Sequence, residues 1–200
     1  MVAHVVALAA PCQHAGVNID STHWLDGARR VPSPNFDERP LGCDIELLVV
    51  HAISLPPGEF GGPQVEQLFA NCLDCTADSR LADLADVRVS SHLFVDRTGA
   101  ITQFVPFDRR AWHAGLSSHR GRQGCNDFAI GIELEGADAV AFEDRQYRVL
   151  ADVVATLMRR YPRLTLANIV GHSDVAPLRK SDPGHVFDWA TLVRLVLERL

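Results

Sequence analysis

The chain has 200 residues, 47% of them hydrophobic, a net charge of −6 and a pI near 5.8. That length and apolar content fit one soluble domain with a sizeable core. The acidic balance argues against a nucleic-acid partner, which would favour a basic patch, and no stretch approaches the ~20 apolar residues of a membrane span.

Residues 1–22 read as a flexible N-terminal extension and 23–200 as the folded domain. The early apolar run from Val5 to Ala10 has no Lys or Arg before it and is short for an export signal, so the expected location is the cytoplasm. The run from Glu46 to Ile53 is apolar and β-branched in its second half, which predicts a buried strand. His51 lies near its end, before a turn at Ser54-Leu55-Pro56-Pro57-Gly58. A helix is expected near 63–74. The segments 91–96 and 100–105 flank Arg97-Thr98-Gly99 and read as a β-hairpin. Trp112 opens a long loop. Phe128 to Gly136 reads as a strand with Glu133 and Glu135 on one face and Ile130, Ile132 and Leu134 on the other. Tyr147, Leu150, Ala151, Val154, Leu157 and Met158 recur at helical spacing, so 143–160 is an amphipathic helix ending before Pro162. Ala167 to Val170 is a short strand delivering His172, and a helix beginning near Trp189 closes the chain. These elements predict an α/β fold, with a mixed central sheet and helices on its faces.

The chemistry concentrates in the loop from Gly171 to Gly184. It carries His172, Asp174, Lys180 and Asp182 between Gly and Pro residues that fix an irregular backbone. Neutral imidazole and carboxylate are ligands that suit zinc. Lys180 and Asp182 are two residues apart and point the same way if the segment is extended. A surface loop with solvated charges is the plainer alternative. His51, at a strand end opening into a loop, is well placed to reach a cleft; a satisfied core histidine is the plainer alternative. Glu133 and Glu135 are costly inside an apolar strand unless they face solvent or a site.

Four segments in order, VVHAISLPPGEFGGP, RVSSHLFVDRTGAITQFVPFDRRAWHAG, CNDFAIGIELEG and GHSDVAPLRKSDPG, resemble the zinc N-acetylmuramoyl-L-alanine amidases. More narrowly they resemble the cytosolic AmpD type, which cleaves 1,6-anhydro-muropeptides in cell-wall recycling. The resemblance runs from about Trp24 to the C-terminus. It implies Zn²⁺ held by His51, His172 and Asp182, with Glu133 and Lys180 as catalytic groups. It also implies substrate contacts from Arg88, Trp112 and His113, a muropeptide substrate and a monomer. The choice of Glu133 over Glu135 comes from the resemblance, because both project to one face. Three positions depart from the family pattern: Ala52, where Asn is usual after the first ligand; Gly124, where a basic residue is usual; and Leu178, where a small or polar residue is usual.

Such a chain would generate its nucleophile from a zinc-acidified water, with Glu133 carrying the proton and Lys180 stabilising the oxyanion. Two other classes remain open. One is a non-catalytic peptidoglycan-binding module, which typically lacks a zinc ligand. The other is an iron oxygenase using His172 and Asp174, which needs a distant downstream histidine where only His185 follows. His92 is expected to be packed, and His4, His14, His23, His119 and His185 to lie at the surface. Asp174 is expected to shape its loop. The five cysteines are expected to be reduced thiols, Cys72 and Cys75 having no second pair to complete a metal site.

Overall fold

The computed structural model describes residues 17–200. Its strands and helices begin with Arg29–Arg30 (β1), Phe36–Glu38 (β2), Leu47–Ile53 (β3) and the helix Gln64–Phe69 (α1). Then come Leu93–Val95 (β4), Ile101–Gln103 (β5), Arg109–Ala111 (β6), Ser118–His119 (β7), Arg122–Gln123 (β8) and Ala129–Glu135 (β9). The chain finishes with the helix Asp144–Arg160 (α2), Ile169–Gly171 (β10), the one-turn helix His172–Val175 (α3) and Trp189–Leu197 (α4). Six strands form one sheet in the order β1-β5-β4-β9-β3-β10. Only β4 and β5 pair antiparallel, as the expected hairpin; the other pairs are parallel. The sheet is therefore mixed, as predicted.

The two central strands are parallel and set the site. β3 pairs with β9 in a register that puts His51 beside Glu133. Side chains alternate across a sheet. Leu48, Val50, Ile130, Ile132 and Leu134 therefore share the face covered by Leu150, Val153, Val154 and Leu157 of α2 and by Leu192 and Val196 of α4. Full burial of one such leucine is worth about 1.5–3 kcal/mol. His51, Gly131 and Glu133 take the opposite face, which no long helix among the described residues covers. The helix α2 is tied to the sheet at its start. Gln146 accepts from the Glu143 amide at 3.0 Å and donates to the Glu135 carbonyl at 3.0 Å.

Three expectations need correction. The segment 17–22 is anchored to the domain: Ile19 is buried in the core and the Thr156 hydroxyl donates to the Val17 carbonyl at 3.1 Å. Ile19 lies outside the run that hydropathy marks, and the folded domain begins before the expected edge at residue 23; residues 1–16 of the expected extension lie outside the described residues. The helix near 63–74 shrinks to α1, because Asn71 takes a left-handed φ of 59° that ends it. His172 is the first residue of α3 rather than part of an irregular loop.

Candidate metal centre

Three side chains from two distant parts of the chain meet at one point. His51 Nδ1 lies 3.0 Å from His172 Nδ1 and 3.2 Å from Asp182 Oδ2, and His172 Nδ1 lies 3.1 Å from the same carboxylate oxygen. The parallel pairing of β10 with β3 brings this about, since Gly171 sits opposite Val50 and hands the chain directly to His172. Asp182 returns to the cluster because its carbonyl accepts from the Ser173 amide at 3.0 Å. Both histidines are buried and the carboxylate is partly so.

The donor set fits a zinc ion. Two imidazole nitrogens and one carboxylate oxygen are ligands zinc takes, and tetrahedral bonds of about 2.0–2.1 Å space ligand atoms about 3.3 Å apart, close to the spacings observed. Proton placement agrees. His172 Nε2 lies 3.3 Å from the Ala114 carbonyl, which can only accept, so the ring proton is on Nε2. The Nδ1 lone pair therefore faces a carboxylate oxygen in a buried site, an arrangement a cation relieves.

Glu133 stands beside this triangle and outside it, with Oε1 3.9 Å from His51 Nδ1 and Oε2 buried without a hydrogen-bond partner among the described residues. Burial pushes its carboxyl well above the usual range; Asp182 adds to the shift and the Lys180 ammonium opposes it. Glu135, equivalent by alternation, is instead a structural tie: it accepts from the backbone amides of Gly61 and, at 3.0 Å, Arg97. Lys180 is exposed, and its charge reaches both Glu133 and His51. Burial raises the Asp182 carboxyl, but its close contacts with the His172 and His51 imidazoles outweigh burial and hold the group below the ordinary carboxylate range.

The three residues expected to touch substrate differ in exposure. Arg88 is exposed and donates to the carbonyls of Ala85 and Val87, at 3.1 and 2.9 Å, within its own loop. Trp112 is half-buried, with its amide donating to the Ser90 hydroxyl at 3.1 Å. His113 is 8% exposed and lies behind His51, its Nδ1 3.0 Å from His51 Nε2. The alternating pattern could not show this, because the partner is 62 residues away. Asp174 accepts from the Gly171 amide at 2.7 Å and lies outside the cluster, so His172 and Asp174 do not form a ligand pair. Leu178 is fully exposed with a φ of 66°, and Gly124 is left-handed at 73°. His185 is exposed as expected, whereas His23 and His119 are half-buried, His23 bonding Tyr161 at 2.7 Å; His4 and His14 lie outside the described residues.

His92 is packed, as expected, and its proton is also fixed. Nδ1 accepts from the Gly131 amide at 3.0 Å and Nε2 donates to the Arg109 carbonyl at 3.0 Å. Burial, helped by the Arg39 charge, lowers its pKa to about 3; burial lowers His51 to about 4 and takes His113 well below its usual value. A histidine depressed on folding gives stability that is full above its unfolded pKa of about 6.5 and is lost as pH falls toward the folded value. Glu133, shifted upward, acts in the opposite sense above about pH 4.5, so three histidines outweigh one glutamate. In urea titrations of the chelated protein, stability should fall between pH 6.5 and 4.5, with a ceiling of about 1.4 kcal/mol per pH unit for each uncompensated group. A flat profile there would mean these histidines are not buried neutral.

Comparison with known proteins agrees with this architecture. A family model described as N-acetylmuramoyl-L-alanine amidase matches residues 41–185, a span containing His51, Glu133, His172, Lys180 and Asp182. Over 173 residues the chain is 55% identical to the 1,6-anhydro-N-acetylmuramyl-L-alanine amidase AmpD of Citrobacter freundii, covering 86% of this chain and 92% of that one. The fold matches a crystal structure of a selenomethionine AmpD derivative with a TM-score of 0.86 and 54% identity, over 89% of this chain and 98% of that one. It also matches the E. coli amidase AmiD in complex with anhydro-N-acetylmuramic acid-L-Ala-D-γ-Glu-L-Lys, with a TM-score of 0.55 and 30% identity, over 90% and 65% of the two chains. The chain belongs to the N-acetylmuramoyl-L-alanine amidase family, and its activity is that of an amidase. No helix among the described residues is long and apolar enough to cross a membrane.

Proposed function

We propose that the chain hydrolyses the amide bond between (1,6-anhydro-)N-acetylmuramic acid and L-alanine in muropeptides during cell-wall recycling, using zinc held by His51, His172 and Asp182. The observation that carries the reading is the triangle of ligand atoms, with sides of 3.0, 3.1 and 3.2 Å, beside a buried carboxyl whose Oε2 has no hydrogen-bond partner among the described residues. The named activity of the AmpD relatives and the anhydromuramyl peptide bound to AmiD support the substrate class. Zinc would supply Lewis acidity toward water and the scissile carbonyl.

The protein's own groups do the rest. Glu133 takes a proton from the attacking water and returns it to the leaving alanine nitrogen, and the burial that raises its pKa favours the protonated form between the two steps. Attack forms the C–O bond and a tetrahedral oxyanion; collapse then breaks the C–N bond as the nitrogen takes the proton from Glu133, and the second water proton passes from the new lactyl carboxyl to the freed amine, giving a carboxylate and an ammonium. Lys180 places an ammonium where the oxyanion develops. All five groups come from one chain, which supports a monomer as the working unit. A cytoplasmic location is supported by the free thiols of Cys43, Cys72, Cys75 and Cys125.

Mass-spectrometric product analysis of zinc-loaded protein with anhydro-muramoyl tripeptide, intact sacculi and a chelated control tests the proposal. The expected result is zinc-dependent release of free tripeptide from the soluble substrate alone. Cleavage of sacculi as well would widen the substrate to the intact wall and count against the cytoplasmic assignment. No cleavage despite bound zinc would refute the catalytic reading.

A further inference from the structure

We infer that His113 is a positioning residue for the metal centre: its Nδ1 accepts the Nε2 proton of His51 and so aims His51 Nδ1 at the ion. The inference rests on the zinc reading above. An ion bound at His51 Nδ1 requires the ring proton on Nε2, and that proton then needs an acceptor. The group within reach is His113 Nδ1, at 3.0 Å.

Several features hold His113 in this pose. The ring packs against Gly131, where any side chain would overlap it, so the glycine in β9 makes the space the imidazole fills. The Asn126 Oδ1 accepts from the His113 amide at 3.2 Å and the Ala114 amide at 2.8 Å, fixing the backbone beneath the ring. His92 stands edge-on to it at 5.8 Å between ring centroids and is locked by its own two hydrogen bonds. Accepting at Nδ1 leaves the His113 proton on Nε2, which is buried with no partner among the described residues. An unsatisfied buried donor is unfavourable, and its retention fits a group kept for its acceptor.

The neighbouring residue serves the other histidine. The Ala114 carbonyl accepts from His172 Nε2 at 3.3 Å and from Arg179 at 2.6 Å. Two consecutive residues thus fix the ring orientation of both histidine ligands, one through a side chain and one through the backbone. Outer groups of this kind orient metal-bound histidines generally.

Asparagine and leucine have nearly the same shape, and only asparagine offers an acceptor at the Nδ1 position. Zinc affinity is to be measured by chelator competition for the wild type, His113→Asn and His113→Leu. The leucine variant should bind about 10- to 100-fold more weakly, while the asparagine variant should stay within about threefold of wild type. Wild-type affinity in the leucine variant, or equal weakening in both, would overturn the inference, since the acceptor would then be irrelevant. A wild type that binds no zinc would overturn the metal reading and this inference with it. A second measurement needs no variant. In long-range ¹H–¹⁵N spectra of the zinc-loaded wild type, His113 should be protonated on Nε2 alone, and a proton on Nδ1 would also overturn the assignment.

Discussion

Replacing Asp182 with alanine should strip the protein of zinc and of activity together while leaving it folded. The carboxylate is the one anionic member of the triangle, and its Oδ2 is within 3.2 Å of both ligand nitrogens. Without it, two neutral imidazoles face each other and a site with three protein ligands drops to two. The loop itself should survive, because it is held by the Asp182 carbonyl, which accepts from Ser173, and by the Gly184 amide donating to Ser181 at 3.0 Å. Neither bond involves the deleted side chain. We expect less than about a tenth of the wild-type zinc after dialysis and a loss of turnover of about 10³-fold or more. Elemental analysis and the product assay, run with circular dichroism as a check on folding, measure all three quantities. A folded variant with full zinc and full turnover would remove Asp182 from the site.

Much of this arrangement could be read in the chain before the fold was known. The apolar runs around His51 and Glu133 became the two central strands, because a parallel strand buried on both sides needs a nearly continuous apolar segment. The spacing of Tyr147, Leu150, Val154 and Leu157 marked α2 for a similar reason: one face had to meet the sheet. Periodicity failed where the deciding partner was remote. Alternation placed Glu133 and Glu135 on one face without saying that one stands beside His51 and the other ties down Gly61 and Arg97. It could not tell that His113 lies against His51. Nor could composition show that Ile19 belongs to the core, since the contacts that bury it come from elements far along the chain.

That division of labour between the two glutamates leads to the other large effect. Glu133→Gln should keep zinc and lose catalysis, with turnover falling about 10²- to 10⁴-fold, the range for removing a general acid–base group. The shape of the side chain is preserved, and Oε1 lies 3.9 Å from His51 Nδ1, outside the triangle whose longest side is 3.2 Å, so the ligands should be undisturbed. The carboxamide, however, can neither take the proton of water nor deliver it to the alanine nitrogen. The same substitution should stabilise the chelated protein. A carboxyl whose folded pKa is raised costs stability that grows as pH climbs from the unfolded value of about 4.5 toward the folded one, and glutamine removes that cost. The stability difference between Glu133→Gln and wild type should therefore widen with rising pH and then level off. Paired urea titrations across that range measure it. A variant that is inactive yet no more stable at any pH would show that the buried carboxyl is not held against its tendency to ionise. An active one would pass the proton-transfer role to another group.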